Sequence, residues 1–432
     1  MNLLVYGAGY VGLTTSISLA EKGNTVVCID KDKNKIKNLN LGNISIYEKG
    51  MTELLGKNLK NGSIKFNFYI ENIGKSIDAI FVCVGTPEKS NGDAEVKYVY
   101  EVIDDIISKI DKDIIIIIKS TVPIGECDRI EKYIRINLKK EVKIEIVSNP
   151  EFLSQGRALK DALEKQRIVI GAESKNSIKV MNKIYKNFEQ EKLVTTRVNS
   201  EMIKYASNSF LALKISYINE IANLCEKVGA NIQQVSKGMG LDERIGNNFL
   251  NAGIGYGGSC FPKDTKAFVY LAKKNNYRLK LIEDTIKINE EQNMILIEKA
   301  KSILNLFTGL KVAVLGLTFK PNTDDVREAP SIKNIRKLLE YGAYIDAYDP
   351  KGIEMCKKII PNIKYSENIE ECINQADLCF IFSEWEEIKK IDTKLFALKM
   401  KRPLVFDGRN CYSLEEMKKN KIEYYSIGRK IF

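Results

Sequence analysis

The chemistry of this chain is most visible around one cysteine, in the run Gly255-Tyr256-Gly257-Gly258-Ser259-Cys260-Phe261-Pro262-Lys263-Asp264. Pro262 suits the first turn of a helix and so places Cys260 at a helix N-terminus. There the helix dipole and the neighbouring Lys263 favour the thiolate, the form that acts as a nucleophile. The flanking glycines let a ligand come close to the backbone. Cys28 and Cys83 sit in apolar strand-like runs and read instead as core cysteines. The chain contains no histidine, which removes His-based triads, imidazole bases and His-ligated metal sites. Catalysis has to run on Cys, Lys, Asp, Glu and hydroxyl or amide groups, and no metal is expected.

A second constellation reads as a phosphate cradle. Gly7-Ala8-Gly9-Tyr10-Val11-Gly12 follows a strand-like NLLVY, opens a helical LTTSISLAEKG, and leads to a second strand ending at Asp30. In that context Gly7 allows the tight turn, Gly9 lets the backbone approach a pyrophosphate, and Gly12 lets helix and strand pack closely. The helix N-terminus offers N–H groups and a positive dipole to the phosphates. Asp30 stands where an acid binds ribose hydroxyls and repels a 2′-phosphate, so NAD is favoured over NADP, a preference that the nearby Lys31, Lys33 and Lys35 soften.

Three further strand ends bring polar groups to the same sheet edge, where open α/β sheets bind ligands. They are Gly85-Thr86-Pro87, Ser120-Thr121-Val122-Pro123 and Asn149-Pro150-Glu151-Phe152-Leu153. On a helical pattern further on, Lys204 and Asn208 are four residues apart and share one face. A last charged loop, Phe319 to Glu328, carries Lys320 and Arg327, either of which could hold phosphate or sugar hydroxyls.

The elements that must position these groups follow from periodicity. The first half alternates short β-branched runs with helical patterns, the mark of βαβ units and a parallel sheet. Strands are expected at Leu3–Tyr6, Thr25–Ile29, Ala79–Val84, Ile114–Lys119 and Ile144–Val147. The five isoleucines Ile114 to Ile118 suit a strand buried on both faces. One long helix is expected from about Ser200, with Ser200 as its N-cap, Glu201 in its first turn and Gly229 at its stop. From Leu310 a second strand-loop-helix-strand begins, a faint echo of the N-terminus in which only Gly316 remains of the glycine fingerprint. The expected architecture is α/β: two doubly wound Rossmann-like domains joined by a long central helix and helical connector. The boundaries are 1–198, 199–305 and 306–432.

Composition narrows the class. The net charge of +11 suits polyanionic small substrates. The lysines are spread along the chain, without a basic run interleaved with aromatics or a nucleic-acid module, so no nucleic-acid partner is expected. No apolar run approaches the ~20 residues that span a bilayer, and no signal sequence precedes the first strand, so a cytoplasmic protein without a membrane partner is expected. Nine cysteines, an odd number without CxxC or zinc spacing, argue against a disulfide framework.

Together these segments resemble the UDP-glucose/GDP-mannose dehydrogenase family over nearly the whole chain. GAGYVGL, VCVGTP, STVPIG, NPEFL, KYASN, GIGYGGSCFPKD, LTFKPNTDDVRE and DGRN stand in family order and spacing. The lead-in FLNAGIGYGGSCFPKD looks like the UDP-glucose branch. N-acetylhexosamine enzymes usually carry a histidine beside the cysteine, and this chain has none. The resemblance implies oxidation of UDP-glucose by two NAD, with water, to UDP-glucuronate, through a thiohemiacetal and then a thioester on Cys260.

It also implies roles. Lys204 or an Asp264-held water takes the hydroxyl proton; Lys204, Asn208 and Thr121 stabilise oxyanions or hold the water; Glu151 and Asp264 are candidates to activate it. NAD contacts are expected at Gly7, Gly9, Tyr10, Val11, Gly12, Asp30, Lys35, Thr86, Pro87, Thr121, Lys263 and Arg327. The UDP-sugar is expected at Glu151, Phe152, Leu153, Gln155, Lys204, Asn208, Arg244, Asn251, Tyr256, Gly257, Phe319, Lys320 and Arg409. Arg409 is expected from a neighbouring subunit, in a homodimer joined through the long helix. Two positions depart from the family pattern: Gln155 stands where an acidic residue is usual, and Asn251 where some relatives are basic.

Overall fold

Short runs of β-branched and aromatic residues form the first sheet: β1 (Asn2–Tyr6), β2 (Thr25–Ile29), β3 (Ile64–Asn67), β4 (Ala79–Val82), β5 (Ile114–Ile118), β6 (Ile144–Ser148), β7 (Ile168–Gly171) and β8 (Lys192–Thr195). The computed structural model describes residues 1–74, 76–165 and 167–430. The strand order is β3-β2-β1-β4-β5-β6-β7-β8. All neighbours are parallel except β6 and β7, which meet antiparallel at Ser148 and Gly171. Side chains alternate between faces along a strand, so Leu3, Val5, Phe81 and Ile117 enter one core while Leu4, Tyr6, Ile80 and Ile116 enter another. Helices cover both faces, as a parallel sheet requires. The order reverses between β1 and β4, and the loops leaving their C-terminal ends open the crevice where such sheets bind ligands.

The five expected strands are all present, with small differences. The third of them, β4, closes at Val82 because Cys83 N–H, after pairing with Tyr6 O at 2.8 Å, leads into a turn. The long helix spans Arg197–Val228, not from Ser200. The Thr196 hydroxyl accepts the Asn199 N–H at 3.2 Å, so capping happens one turn earlier than expected. Ser200 is consequently buried inside the helix, its hydroxyl 3.1 Å from that of Ser148. Glu201 takes the N–H of Cys127 at 2.9 Å and that of Gly125, and so caps the helix Glu126–Asn137.

The chain divides into two compact units, residues 1–207 with 273–275, and 208–272 with 276–432. The second contains the helices Ile232–Gly240, Lys280–Gln292 and Ile295–Lys301, and the helix Phe261–Lys274 as far as Ala272. Its sheet is wholly parallel: β9 (Lys311–Leu315), β10 (Tyr344–Tyr348), β11 (Lys364–Tyr365), β12 (Leu378–Ile381), β13 (Leu404–Asp407) and β14 (Glu423–Tyr425), in the order β11-β10-β9-β12-β13-β14.

The faint internal echo is a structural repeat. Gly7 N–H bonds Ile29 O at 2.7 Å, and Gly316 N–H bonds Tyr348 O at 2.8 Å. Both glycines have positive φ, +99° and +89°, a conformation open to glycine at little strain. Asp30 follows β2 as Asp349 follows β10. Asp349, however, is sealed by the N–H groups of Leu317 and Thr318 and by Trp385 Nε1, at 2.7, 3.0 and 3.1 Å. The second sheet therefore has no free acid at that strand end for a ribose.

Candidate active site

At the first sheet the glycine turn has three kinds of space. A Cβ on Gly7 would come 2.9 Å from Cys83 O, one on Gly12 would overlap Gly7 O, and one on Gly9 would meet nothing within 4 Å. Gly7 and Gly12 thus pack the turn against the protein, and Gly9 leaves the open side. The helix Tyr10–Glu21 starts without a side-chain cap or an acidic residue in its first turn, a start that suits phosphate. Asp30 accepts Ala8 N–H and Lys35 Nζ, both at 2.9 Å, and Asp32 N–H at 3.0 Å. Burial works against its charge, but the bonds from Lys35, Asp32 and Ala8 outweigh it and hold the carboxyl below its usual range. An open Gly9 face, a bare helix start and an ionised acid fit a dinucleotide with free ribose hydroxyls. Of the lysines expected to soften that preference, Lys31 and Lys33 lie over the Tyr98 and Phe68 rings, and Lys35 is paired with Asp30 itself.

Tyr10, an expected cofactor contact, opens the helix Tyr10–Glu21, and its side chain ends in a hydroxyl with protein partners. That hydroxyl bonds Glu48 and receives Gly156 N–H at 2.9 Å, tying the loop before Met51 to the loop after Gln155. Thr86 donates to Thr121 O at 2.8 Å, which joins the loops after β4 and β5. Pro87 is exposed, and Val11 and Thr121 are half-buried.

The third strand end forms a charged corner. Lys204 Nζ donates to Glu151 O at 2.7 Å and to its carboxylate at 2.8 Å, with both side chains buried. The other carboxylate oxygen accepts Leu153 N–H at 2.6 Å. Phe152 stacks under the Arg167 guanidinium, whose carbon is 3.9 Å from the ring centroid. Leu153 and Gln155 are half-buried. Lys119, which no motif singled out, bonds Asn149 Oδ1 and O at 3.1 and 3.3 Å. Burial pushes its ammonium down to about 8, partly opposed by Cys83 and Glu151.

In the second unit Cys260 immediately precedes the helix Phe261–Lys274 and is half-buried, its sulfur 3.8 Å from Ser259 Oγ. Asp264, one turn on, is 1 % exposed. It accepts Asn208 Nδ2 at 2.6 Å and pairs with Lys263 Nζ. Lys263, an expected cofactor contact, thus sits on the Asp264 carboxylate. Arg327 forks onto Asp325 at 2.8 and 2.7 Å and lies within electrostatic reach of the Cys260 thiol. Among the described cysteines only Cys260 and Cys411 are not buried. Cys411 is pushed up by burial and by Asp407 and Glu384; burial raises Cys28 and Cys83 to about 12, as befits core thiols.

The glycines before Cys260 do not leave open backbone. A Cβ on Gly257 would strike Glu328 O, and one on Gly258 would come 2.8 Å from the Phe319 ring. Asn289 fills the Gly255 side and clasps Tyr256, accepting its N–H at 2.7 Å and donating to its carbonyl at 3.1 Å. The Tyr256 ring is buried beside Phe261. Tyr256 and Gly257, expected to touch substrate, thus pack against protein: the absent side chains make room for neighbouring segments.

The remaining expected contacts divide. Arg244 is 89 % exposed and forks onto Asp242, and Asn251 is exposed. Arg409 bonds Phe382 O at 2.9 Å and Phe319 O at 3.1 Å, and Lys320 lies over the Phe319 ring, so these three gather within one chain. Among the described residues no cluster of acidic or cysteine side chains could hold a metal ion, and no helix is long and apolar enough to cross a membrane.

Residues 1–189 match the model for the UDP-glucose/GDP-mannose dehydrogenase family, NAD binding domain; residues 198–291 match its central domain and 313–414 its UDP binding domain. The chain is 44 % identical over 431 residues to the UDP-glucose 6-dehydrogenase YwqF of Bacillus subtilis (strain 168), covering 100 % of this chain and 98 % of the relative. A UDP-glucose dehydrogenase from the hyperthermophilic archaeon Pyrobaculum islandicum superposes with a TM-score of 0.91 at 34 % identity, over 98 % of this chain and 96 % of that one. A UDP-D-ManNAc dehydrogenase from Pyrococcus horikoshii follows at 0.87 and 25 %, over 99 % of both chains.

Proposed function

The chain belongs to the UDP-glucose/GDP-mannose dehydrogenase family, and from that premise we propose that it oxidises the C6 alcohol of UDP-glucose to the carboxylate through Cys260. The cofactor is NAD. Gly7, Gly9, Gly12, Asp30 and Lys35 hold it, with Val11, Thr86, Pro87 and Thr121 at the rim. Bound there, NAD supplies the hydride acceptor for both oxidations.

Cys260 carries the covalent step. After C6 is an aldehyde, the thiolate attacks it to form a C–S bond, and loss of a second hydride leaves a thioester. Water then replaces sulfur, releasing UDP-glucuronate and the thiol. Lys204, or a water held by Asp264, accepts the hydroxyl proton. Lys204, Asn208 and Thr121 stabilise the oxyanions, and Glu151 or Asp264 activates the water. The observation that carries this reading is the half-buried thiol at the start of Phe261–Lys274, one turn from an Asp264 bound by both Asn208 and Lys263. Phe152, Lys320, Arg327 and Arg409 bind the nucleotide sugar or the cofactor.

The protein acts as a homodimer through the long helix. Phe210, Tyr217 and Leu224 are spaced by two helical turns on one face, and are 59, 47 and 54 % exposed, an apolar stripe that suits a second copy.

The test is NADH absorbance after mixing limiting UDP-glucose, excess NAD and the purified protein. Two NADH per sugar, with UDP-glucuronate as product, is the expected result. NADH only from GDP-mannose or a UDP-N-acetylhexosamine would reassign the sugar. No NADH from any of these would overturn the catalytic reading.

A further inference from the structure

Behind the Glu151–Lys204 pair stands a second lysine that the reaction as written does not use. Lys119 leaves the end of β5 and reaches across to Asn149 at the end of β6, where its ammonium meets both the side-chain oxygen at 3.1 Å and the main-chain carbonyl at 3.3 Å. Every polar atom of the Asn149 side chain is engaged: Oδ1 also accepts the Tyr185 hydroxyl at 2.6 Å, and Nδ2 donates to Val169 O at 2.7 Å. Its N–H is bound to Ile118 O at 2.9 Å. The residue before Glu151 is Pro150, whose ring fixes φ. An anchored Asn149 therefore leaves Glu151 little freedom. Lys119 keeps some accessible surface because it lines a cavity with Asn149, Glu151, Phe152, Arg167 and Tyr185, but its ammonium is withdrawn from water.

We propose that Lys119 is a positioning residue for Glu151: by holding the Asn149 carbonyl and side chain, it fixes the Asn149–Glu151 turn so that the Glu151 carboxylate meets the Lys204 ammonium. The two lysines grip one turn from either end, Lys119 at Asn149 and Lys204 at the Glu151 carbonyl and carboxylate. A neutral side chain at 119 could make part of the hydrogen bonding, but a cation also faces Glu151 favourably and Lys204 unfavourably. The Lys119 ammonium is thus held between the attraction of Glu151 and the repulsion of Lys204. The inference rests on the reading of Glu151 and Lys204 as catalytic groups.

The experiment uses the full-length enzyme with Lys119→Met and Lys119→Arg. A misplaced catalytic group costs on the order of 100-fold in rate, so Lys119→Met is expected to lower kcat by roughly ten- to a hundredfold while KM for UDP-glucose and NAD stays within about threefold. The alkaline limb of its kcat–pH profile should shift, and Lys119→Arg should recover most of the rate. A crystal structure of Lys119→Met should show the Glu151 carboxylate moved off Lys204. If Lys119→Met does not fold, Lys119→Gln takes its place, since it keeps an N–H for Asn149 and removes the charge. Unchanged kcat and pH profile, or a Glu151 still bonded to Lys204 in the variant, would overturn the proposal. If the wild-type protein makes no NADH from any sugar nucleotide, it is the functional reading that fails, and the variant crystal structure alone then decides the role of Lys119.

Discussion

The side-chain amide of Asn208 donates to the Asp264 carboxylate at 2.6 Å, and both side chains are buried. This bond joins the long helix to the first turn of the cysteine helix, and Lys263 meets the carboxylate's other oxygen. Removing the carboxylate leaves a buried amide and a largely buried ammonium without it. Asp264→Ala is therefore expected to lower unfolding stability by about 1–3 kcal/mol. Asp264→Asn keeps the shape and loses less. Both should lower kcat by roughly 100- to 10,000-fold, so chemical denaturation and initial rates on the same samples separate the two effects.

Cys260→Ser keeps the size of the side chain and removes the sulfur nucleophile. It is expected to retain nucleotide binding and to make essentially no acid. Equilibrium dialysis and product analysis check this. Multiple turnovers to UDP-glucuronate by the variant would remove the thioester from the mechanism.

At Gly257 an added methyl would strike the carbonyl of Glu328, which is backbone and cannot swing aside. Gly257→Ala should displace the loop before Cys260, at a cost of about 1–3 kcal/mol, with a fall in kcat. Gly9→Ala is the control, because a Cβ there meets no protein atom; it should leave thermal stability nearly unchanged and weaken NAD binding alone.

Asp30 has its carboxyl held below the usual range against burial, by Lys35 and two N–H groups. A depressed folded-state pKa means that its contribution to stability is present above the ordinary carboxylate value of about 3.9, and is lost as pH falls through the folded value. The melting temperature of the wild type should exceed that of Asp30→Asn by a constant margin at neutral pH, and the gap should close below about pH 4. The same substitution removes the charge that repels a 2′-phosphate, so the ratio of NADP to NAD usage should rise.

The apolar stripe on the long helix predicts an assembly that charge can break. Phe210→Glu with Tyr217→Glu should shift the protein from dimer to monomer in light scattering. A wild type that is already monomeric at working concentration would count against the dimer.

Much of this site is legible in the local sequence. The turn at Gly7 to Gly12, the buried isoleucine strand and the helix start after Cys260 all follow from neighbours within a few residues, through φ preference, two-residue alternation and the place of Pro262. The partners of the charged groups were not legible. Lys263 reads in the sequence as a thiolate-stabilising cation and a cofactor contact, and only the fold shows it paired with Asp264; Tyr256 reads as a substrate contact, and only the fold shows its ring against Phe261. Ser200 reads in the sequence as a helix cap, and the fold places it inside the helix against Ser148.

The sequence by itself determined which groups could do chemistry and which local elements carry them, because glycine turns, helix starts and alternating strands are properties of the nearby chain. Only the tertiary structure decided which group meets which. Asn289 clasps Tyr256 across 33 residues, Lys119 grips Asn149 across 30, and Lys204 meets Glu151 across 53. Such pairings depend on how strands and helices pack, and a buried polar group must find its partner wherever packing brings one within reach. That distance is set by the fold, and no local pattern of residues encodes it.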